Sequence, residues 1–363
     1  KSMGISGEIE QFVEATQWPT WTTAFGKGIL NEQWPNLRNI YSGSFGPASE
    51  KEYFDSCDLI VCFGPHHSST NSFFWTAIPR PEVTVAFSAT TVRIDGDTFQ
   101  DLPAKDFLAH LLGRLDRSRL TKESAFLGFN DAAPPPYTSP TPSEQMSQKK
   151  FYTALQQILN PGDIILGETG TAAYGVRNLI LPPHCKFFNP VTWLSIGYML
   201  PAALGAGIAQ RELIQQDKWH GIKEARTILF IGDGSVQISV QEISTIIRAK
   251  LDMIIFILNN NGYTIERCIH GRNQGYNDIA PWRYLQAPAL FGGGEKDGGY
   301  PTYTFQVKDR DDLLRTLSDA RLTSPVGLKL VEVFLDPLDA PAGLLPHLLE
   351  EQIKRENKEG DFS

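Results

Sequence analysis

Two short segments of the chain hold residue types that could bind an anion and a divalent cation in one place. The first is Gly232-Asp233-Gly234-Ser235, which follows the apolar run 227–231 and precedes a helical pattern over about 236–250. A strand, a glycine turn and a helix bring unpaired backbone N–H groups and the positive end of a helix dipole to one point, which suits a phosphate. Glycine on both sides of Asp233 permits a sharp turn and a close approach of a ligand to the backbone. A lone Gly-Asp-Gly is weak evidence, because many tight turns contain it.

The second segment decides the matter. After the helical pattern comes another buried run, 253–258, ending in Asn259-Asn260-Asn261-Gly262. In a parallel sheet both strand ends lie on the same edge, where open α/β folds bind ligands. Asp233 and Asn260, 27 positions apart, therefore come within reach of a shared ion. A carboxylate from Asp233, an amide oxygen from Asn260 and the carbonyl of Gly262 suit Mg²⁺, a hard cation that takes near-octahedral oxygen ligands and shares them with phosphates and water. The alternative leaves Asn260 and Gly262 as turn formers, a role Asn-Gly pairs often have. The intact order of strand, Gly-Asp-Gly, helix, strand and Asn-Asn favours the cation site.

Positioning these residues requires a sheet. The run Thr227-Ile228-Leu229-Phe230-Ile231 is continuously apolar, as expected of a central strand covered on both faces. Similar runs at 163–166, 253–258 and 328–335 are separated by helix-length segments, which implies a parallel α/β sheet. The same rhythm occurs earlier, with strands at 21–25, 59–63 and 83–87 and helices at 48–56 and 104–115. Between the two halves, Pro134, Pro135, Pro136, Pro140 and Pro142 lie among serines and threonines, a composition that favours an extended connection. The reading is two tandem Rossmann-like α/β domains with parallel sheets covered by helices on both faces: residues 1–116, a linker at 117–148, and 149–363. A length of 363 residues accommodates two such cores. The charged stretch 350–361 reads as a solvated helix and tail.

Composition narrows the function. The net charge of −8 comes without any cluster of Lys and Arg, which argues against a nucleic-acid partner. The longest apolar runs are strand-sized, far short of the roughly 20 residues that span a bilayer, so no membrane partner is expected. Cys57, Cys62, Cys185 and Cys268 follow no disulfide or metal spacing and read as inert thiols of a reducing cytosol. The first residues carry neither a signal-peptide nor a transit-peptide pattern, so a cytoplasmic location is expected. His66-His67 reads as a loop at a strand end. Gly205-Ala206-Gly207 lacks the third glycine of a dinucleotide fingerprint, since Gln occupies position 210, and reads as close helix packing. Residues 1–116 contain no glycine-rich phosphate loop, and no dinucleotide is expected there.

From Gly232-Asp233-Gly234 through Asn259-Asn260 the chain resembles the signature of thiamine-diphosphate-dependent enzymes. Gly262-Tyr263-Thr264-Ile265-Glu266 is similar to the form found in pyruvate decarboxylases, fungal ones above all, and in their indolepyruvate and phenylpyruvate relatives. Glu168-Thr169-Gly170-Thr171 resembles the segment near the cofactor's aminopyrimidine. Trp193-Leu194-Ser195-Ile196-Gly197 resembles the segment whose isoleucine props the cofactor into a bent shape. Phe25-Gly26-Lys27-Gly28, with Asn31-Glu32, looks like the family's middle domain. The likeness covers essentially the whole chain.

The resemblance implies thiamine diphosphate and Mg²⁺ as cofactors. It places Gly232, Asp233, Gly234 and Ser235 at the diphosphate, with Asp233, Asn260 and Gly262 on the metal. It places Thr169, Thr171, Leu194, Ser195 and Ile196 along the rest of the cofactor, and Tyr263, Thr264 and Ile265 beside it. Most relatives have Gly where this chain has Leu194, but the family uses that residue's backbone oxygen. Thr169, Ile265, Glu266 and Ile269 are implied to line the reacting carbon as catalytic residues. An acid in the first turn of a helix is favoured by the dipole alone, so Glu266 has a purely structural explanation too. The resemblance adds proton transfer, for which a partly shielded carboxyl is suited.

The implied reaction is decarboxylation of a 2-oxo acid, with pyruvate leading because Ile265 and Ile269 are bulky. Ala173 leaves room for larger substrates, and one methylene in an apolar pocket is worth only about 1–3 kcal/mol. The alternatives are a decarboxylase of indolepyruvate or phenylpyruvate, a carboligase of the acetolactate synthase type, and a piece that keeps the fold without turnover. Family members also carry a pyrimidine-binding domain with a catalytic His-His pair and a ring-binding glutamate, which in relatives comes from a neighbouring subunit. No counterpart occurs in this sequence, and the middle domain lacks its first strand. The expectation is a C-terminal portion of a longer polypeptide, partnered by that domain in a homodimer or homotetramer.

Overall fold

A computed structural model places residues 3–120, 146–294 and 300–360, and the chain divides into one unit from Lys1 to Ala132 and another from Ala133 to Ser363. Most of the expected linker falls on 121–145, outside the described residues. Its last residues belong to the second unit. Met146 is buried, and Ser147 caps the helix Gln148–Leu155 by accepting from the N–H of Lys150. The Gln148 amide donates to the Asp339 carbonyl at 2.7 Å, so the second unit is already ordered before the expected start at 149.

In the first unit, β1 (Thr20–Thr22) pairs in parallel with β2 (Leu37–Ile40), and β3 (Ile60–Phe63) pairs in parallel with β4 (Thr84–Phe87). Two further strands, β5 (Val92–Ile94) and β6 (Asp97–Phe99), continue the second sheet antiparallel, which corrects the expectation of purely parallel pairing. The turn between them is Asp95-Gly96, both at positive φ, a two-residue hairpin signal present in the sequence. The helices Ala48–Ser56 and Ala104–Arg114 lie where the pattern put them. Phe87, Val92, Ala104 and Leu108 join this unit's core.

The second unit holds β7 (Ile164–Gly167), β8 (Lys186–Phe188), β9 (Thr227–Gly232), β10 (Met253–Asn259), β11 (Thr302–Val307) and β12 (Leu328–Phe334). They form one sheet in the order β11-β12-β10-β9-β7-β8, with every neighbouring pair parallel. The continuous apolar runs are explained by cover on both faces. Ile228, Phe230 and Phe256 pack with Phe151 in one core, while Leu229, Ile231, Ile255 and Ile257 pack with Leu200 and Ile243 in the other. Phe230 and Phe256 stack at 5.1 Å between centroids, locking β9 to β10. Each such fully buried side chain contributes about 1.5–3 kcal/mol, so the strand ends are fixed points.

The chain runs outward from β7 to β8, then returns across β7 to β9 and continues the other way to β10. The direction reverses between β7 and β9, and the crevice at the carboxyl ends of strands beside such a reversal is where open α/β sheets bind ligands. The helical pattern after β9 is two helices, Asp233–Ser239 and Glu242–Ala249, rather than one. Val236, Ile238 and Val240 are β-branched and weaken the helix, and Ser239 turns its hydroxyl to the Gly197 carbonyl at 2.9 Å. The charged stretch 350–361 is helical as far as 360 and holds no buried residue among those described. Its helix, Leu344–Gly360, starts earlier, with Leu344 and Leu345 buried, and carries Glu356 paired with Arg272. No helix among the described residues is long and apolar enough to cross a membrane.

Candidate functional site

At the end of β9 the chain turns straight into the helix Asp233–Ser239, with Gly232 as its N-cap. The amides of Asp233, Gly234 and Ser235 precede the first helical hydrogen bond and have no carbonyl partner within the helix. Asp233 is buried and folds back, accepting from the Gly234 N–H at 2.8 Å and from the Gly262 N–H at 2.9 Å. Burial pushes its carboxyl up to about 6, against the pull of N–H donors from Gly262, Gly234 and Asn261. A carboxyl so placed is charged at neutral pH but poorly solvated, the state that a nearby cation relieves. A Cβ on Gly234 would lie 2.6 Å from the ring of Tyr263, so Tyr263 covers this turn and only glycine fits beneath it.

At the end of β10, Leu258 stands opposite Gly232, so the following residues reach past the Asp233 turn. One end of the buried Asn260 amide lies 3.3 Å from Asp233 Oδ1 and 2.8 Å from the Gly262 carbonyl oxygen, and the other lies 2.8 Å from Thr264 Oγ1. In the structure the amide oxygen occupies the first position and faces two oxygens. Turning the amide over would put its nitrogen there, donating to both. The edges of an octahedron with metal–oxygen bonds near 2.1 Å are about 3.0 Å long, so the oxygen-inward arrangement has the spacing of adjacent Mg²⁺ ligands. Gly262 is required in this loop, because at φ 116 a Cβ would lie 2.0 Å from the Asn277 carbonyl oxygen. Among the described residues no cluster of three His, Cys, Asp or Glu side chains could hold a metal, so a cation at this edge relies on one carboxylate and neutral oxygens.

At the end of β7 the segment Glu168-Thr169-Gly170 opens the third side. Glu168 is fully buried and accepts from the N–H of Thr169 at 2.7 Å and of Met199 at 2.8 Å. Burial pushes its carboxyl up, against those donors and the Gly197 N–H. Thr169 donates its hydroxyl to the Ser195 carbonyl at 3.1 Å. Thr171 is buried as the first residue of the helix Thr171–Gly175. The segment Trp193-Leu194-Ser195-Ile196 lies on the surface, with Ile196 43% exposed, an apolar side chain offered rather than packed away. Leu194 sits at φ 53, the left-handed region where a non-glycine residue is strained by about 1–2 kcal/mol. That accounts for the glycine expected there from the resemblance.

The helix Thr264–His270 follows directly from the Gly262 loop. A Cβ built on Gly170 would lie 3.9 Å from Ile265 Cγ2, so the β7 turn and this helix meet at Ile265. Glu266 is about one third exposed, with Oε2 at 3.7 Å from His270 Nε2 one turn on. Ile269 stands on the exposed side. Arg267 braces the loop by donating to the carbonyls of Asn261 at 3.2 Å and Arg272 at 2.8 Å.

The residues assigned to the cation and the cofactor therefore follow the carboxyl ends of β7, β9 and β10 or lie on the segment that Thr169 ties to them, at the reversal between β7 and β9. His66 and His67 lie in the loop after β3, in the first unit. Gly205 and Gly207 lie inside the helix Met199–Gln215, where Gly207 packs toward Leu251 and Met253. Sequence reasoning missed Ser239 and Asn277, which hold the Gly197 and Gly262 loops. Neither belongs to a motif, and only the fold brings them there.

Known proteins share both units. Residues 168–333 match the C-terminal TPP binding domain of thiamine pyrophosphate enzymes, and residues 1–112 match the central domain of the same enzymes. A pyruvate decarboxylase of Aspergillus parasiticus is 48% identical over 358 residues, 98% of this chain and 60% of that one. A pyruvate decarboxylase of Aspergillus fumigatus is 34% identical, over 93% of this chain and 56% of its own length. Pyruvate decarboxylase isozyme 2 of Saccharomyces cerevisiae is 33% identical, over 94% and 58%. The chain thus spans less than two thirds of the length of these relatives. Among solved structures, benzoylformate decarboxylase from Polynucleobacter necessarius shares the fold with a TM-score of 0.65 and 17% identity, over 92% of this chain and 60% of that one.

Proposed function

Because the chain belongs to the thiamine pyrophosphate enzymes, of which it carries the central and the C-terminal TPP-binding domains, we propose that it holds thiamine diphosphate through Mg²⁺ and serves the non-oxidative decarboxylation of pyruvate. The observation that carries this reading is the spacing of the Asp233, Asn260 and Gly262 oxygens at the carboxyl edge of β9 and β10. The residues fit the ion: one anionic and two neutral oxygens leave the remaining positions for phosphate and water. The first turn of the helix Asp233–Ser239 follows directly from that strand end, and although Asp233 holds the Gly234 N–H, the positive end of the helix suits the diphosphate.

When bound, the cofactor supplies an acidic carbon that adds to the ketone and takes up the electron pair released as CO₂ leaves. The chain's own residues do the rest. Ile196 supports the cofactor from the exposed segment that Thr169 and Ser239 tie down through Ser195 and Gly197. Thr169, Ile265 and Ile269 line the reacting region. Glu266, on the same helix as Ile265, holds or gives the proton that the product carbon needs. Over the cycle pyruvate and one proton give acetaldehyde and CO₂. Water exclusion and a complete ring-binding wall require the pyrimidine-binding domain, most simply in a homodimer or homotetramer, and the setting is the cytoplasm.

Substrate size rests on Ile265 and Ile269 against Ala173, which is small and buried. Product analysis tests the whole reading. The enzyme that carries this chain, given thiamine diphosphate and Mg²⁺, should convert pyruvate to acetaldehyde and CO₂ faster than it consumes phenylpyruvate. Acetolactate as the main product would favour the carboligase, preference for phenylpyruvate would favour the larger-substrate decarboxylases, and absence of any turnover would favour the inactive piece.

A further inference from the structure

We propose that Thr264 is a positioning residue that sets the orientation of the Asn260 amide and thereby determines whether the strand edge presents oxygens to a cation. The inference rests on the cation site described above. Thr264 is almost fully buried, with 2% exposure, directly after the loop that carries Asn260 and Gly262. Its hydroxyl donates to the Pro337 carbonyl at 2.8 Å and lies 2.8 Å from the near end of the Asn260 amide.

A hydroxyl has one proton to give and lone pairs that accept. With that proton on Pro337, Thr264 can only accept from Asn260, so the amide nitrogen must point at Thr264 and the amide oxygen at Asp233 and Gly262. That is the cation-ready arrangement. In the opposite orientation the nitrogen donates to Asp233 Oδ1 and the Gly262 carbonyl, which satisfies those oxygens without an ion. The amide oxygen then needs the Thr264 proton, and Pro337 loses its donor. The two states exclude each other because a single proton cannot serve both acceptors. Cation binding is therefore linked through Thr264 to the Pro337 carbonyl on the segment after β12.

Valine keeps the shape of Thr264 but neither donates nor accepts. In Thr264→Val the cation-ready orientation leaves a buried amide N–H without a partner, whereas the opposite orientation keeps two bonds to oxygen. Mn²⁺ should serve as the probe, with free ion followed by electron paramagnetic resonance on the enzyme that carries this chain in the presence of thiamine diphosphate. Thr264→Val should weaken Mn²⁺ binding by about five- to a hundred-fold, the range that one unpaired buried N–H implies. Thr264→Ser, which keeps the hydroxyl, should bind within about threefold of the parent. Thr264→Val also gives up the bond to the Pro337 carbonyl, so the cation-free melting temperature should fall modestly. The role of Thr264 is read from the smaller rise in melting temperature that Mn²⁺ adds in this variant, which a merely structural role would not move. Should Thr264→Val fail to fold, Thr264→Ala is read in the same way.

Parent-like Mn²⁺ affinity in Thr264→Val would overturn the proposal, as would equal losses in the serine and valine variants. Asp233→Asn separates this from the underlying reading. If the parent's Mn²⁺ affinity does not depend on Asp233, the cation site itself is wrong and the role of Thr264 falls with it. If it depends on Asp233 but not on Thr264, only the present inference fails.

Discussion

The hydroxyl of Thr169 donates to the carbonyl oxygen of Ser195 at 3.1 Å, joining two segments 26 residues apart. One follows β7 and the other carries Ile196, so a single side chain sets how far the exposed apolar segment stands from the strand edge. Thr169→Val removes the donor and leaves the shape. One net hydrogen bond is worth about 0.5–1.5 kcal/mol, so thiamine diphosphate affinity should fall by about two- to tenfold. Fluorescence titration of the holoenzyme checks this. An unchanged affinity would mean that other contacts hold the Ile196 segment.

Glu266 separates chemistry from binding. Glu266→Gln keeps size and hydrogen bonding but cannot exchange a proton, and positioned acid–base groups contribute about 10²–10⁴-fold to rate. The fall should appear in kcat, with cofactor affinity little changed, because Glu266 lies on neither the cation nor the diphosphate. Near-parent turnover would reduce Glu266 to a helix-start acid paired with His270. Loss of the cofactor would move it into the binding shell.

Asp233 makes cofactor binding depend on pH with a definite sign. Burial holds its carboxyl at about 6, above the 3.8 of an exposed aspartate. For the cation-free fold the raised value contributes stability that is fully present below about 3.8 and lost as pH rises through about 6. Above that window the buried carboxylate is charged, and Mg²⁺ supplies the missing counter-charge. Below it, protons compete with the metal. The gain in melting temperature from Mg²⁺ with thiamine diphosphate should therefore be larger near about pH 7.5 than near about pH 5. An equal gain at both would show that Asp233 does not meet the ion.

Much of this site could be read from the residues, because its signals are local. The runs ending at Ile231 and Leu258 each stop one residue short of the observed strands, and the turns after them hold the assigned ligands. What escaped depends on tertiary context. The bond from Ser239 to the Gly197 carbonyl, 42 residues away, is one that no helical periodicity reveals. The burial of Leu344 and Leu345 was hidden by the charges that follow them. Leu194 could be recognised as a departure from glycine, yet the reason appears only in its backbone angle. The hairpin at Asp95-Gly96 was different, since its signal was local and was overlooked between short, mostly exposed strands.

The central claim is that Asp233 is the anionic ligand of a cation that holds the diphosphate. Calorimetric titration of thiamine diphosphate into the enzyme that carries this chain, with and without Mg²⁺, and into its Asp233→Ala variant, tests it most directly. The account predicts tight, Mg²⁺-dependent binding in the parent and loss of that binding in the variant. Parent-like, Mg²⁺-dependent affinity in Asp233→Ala would contradict it.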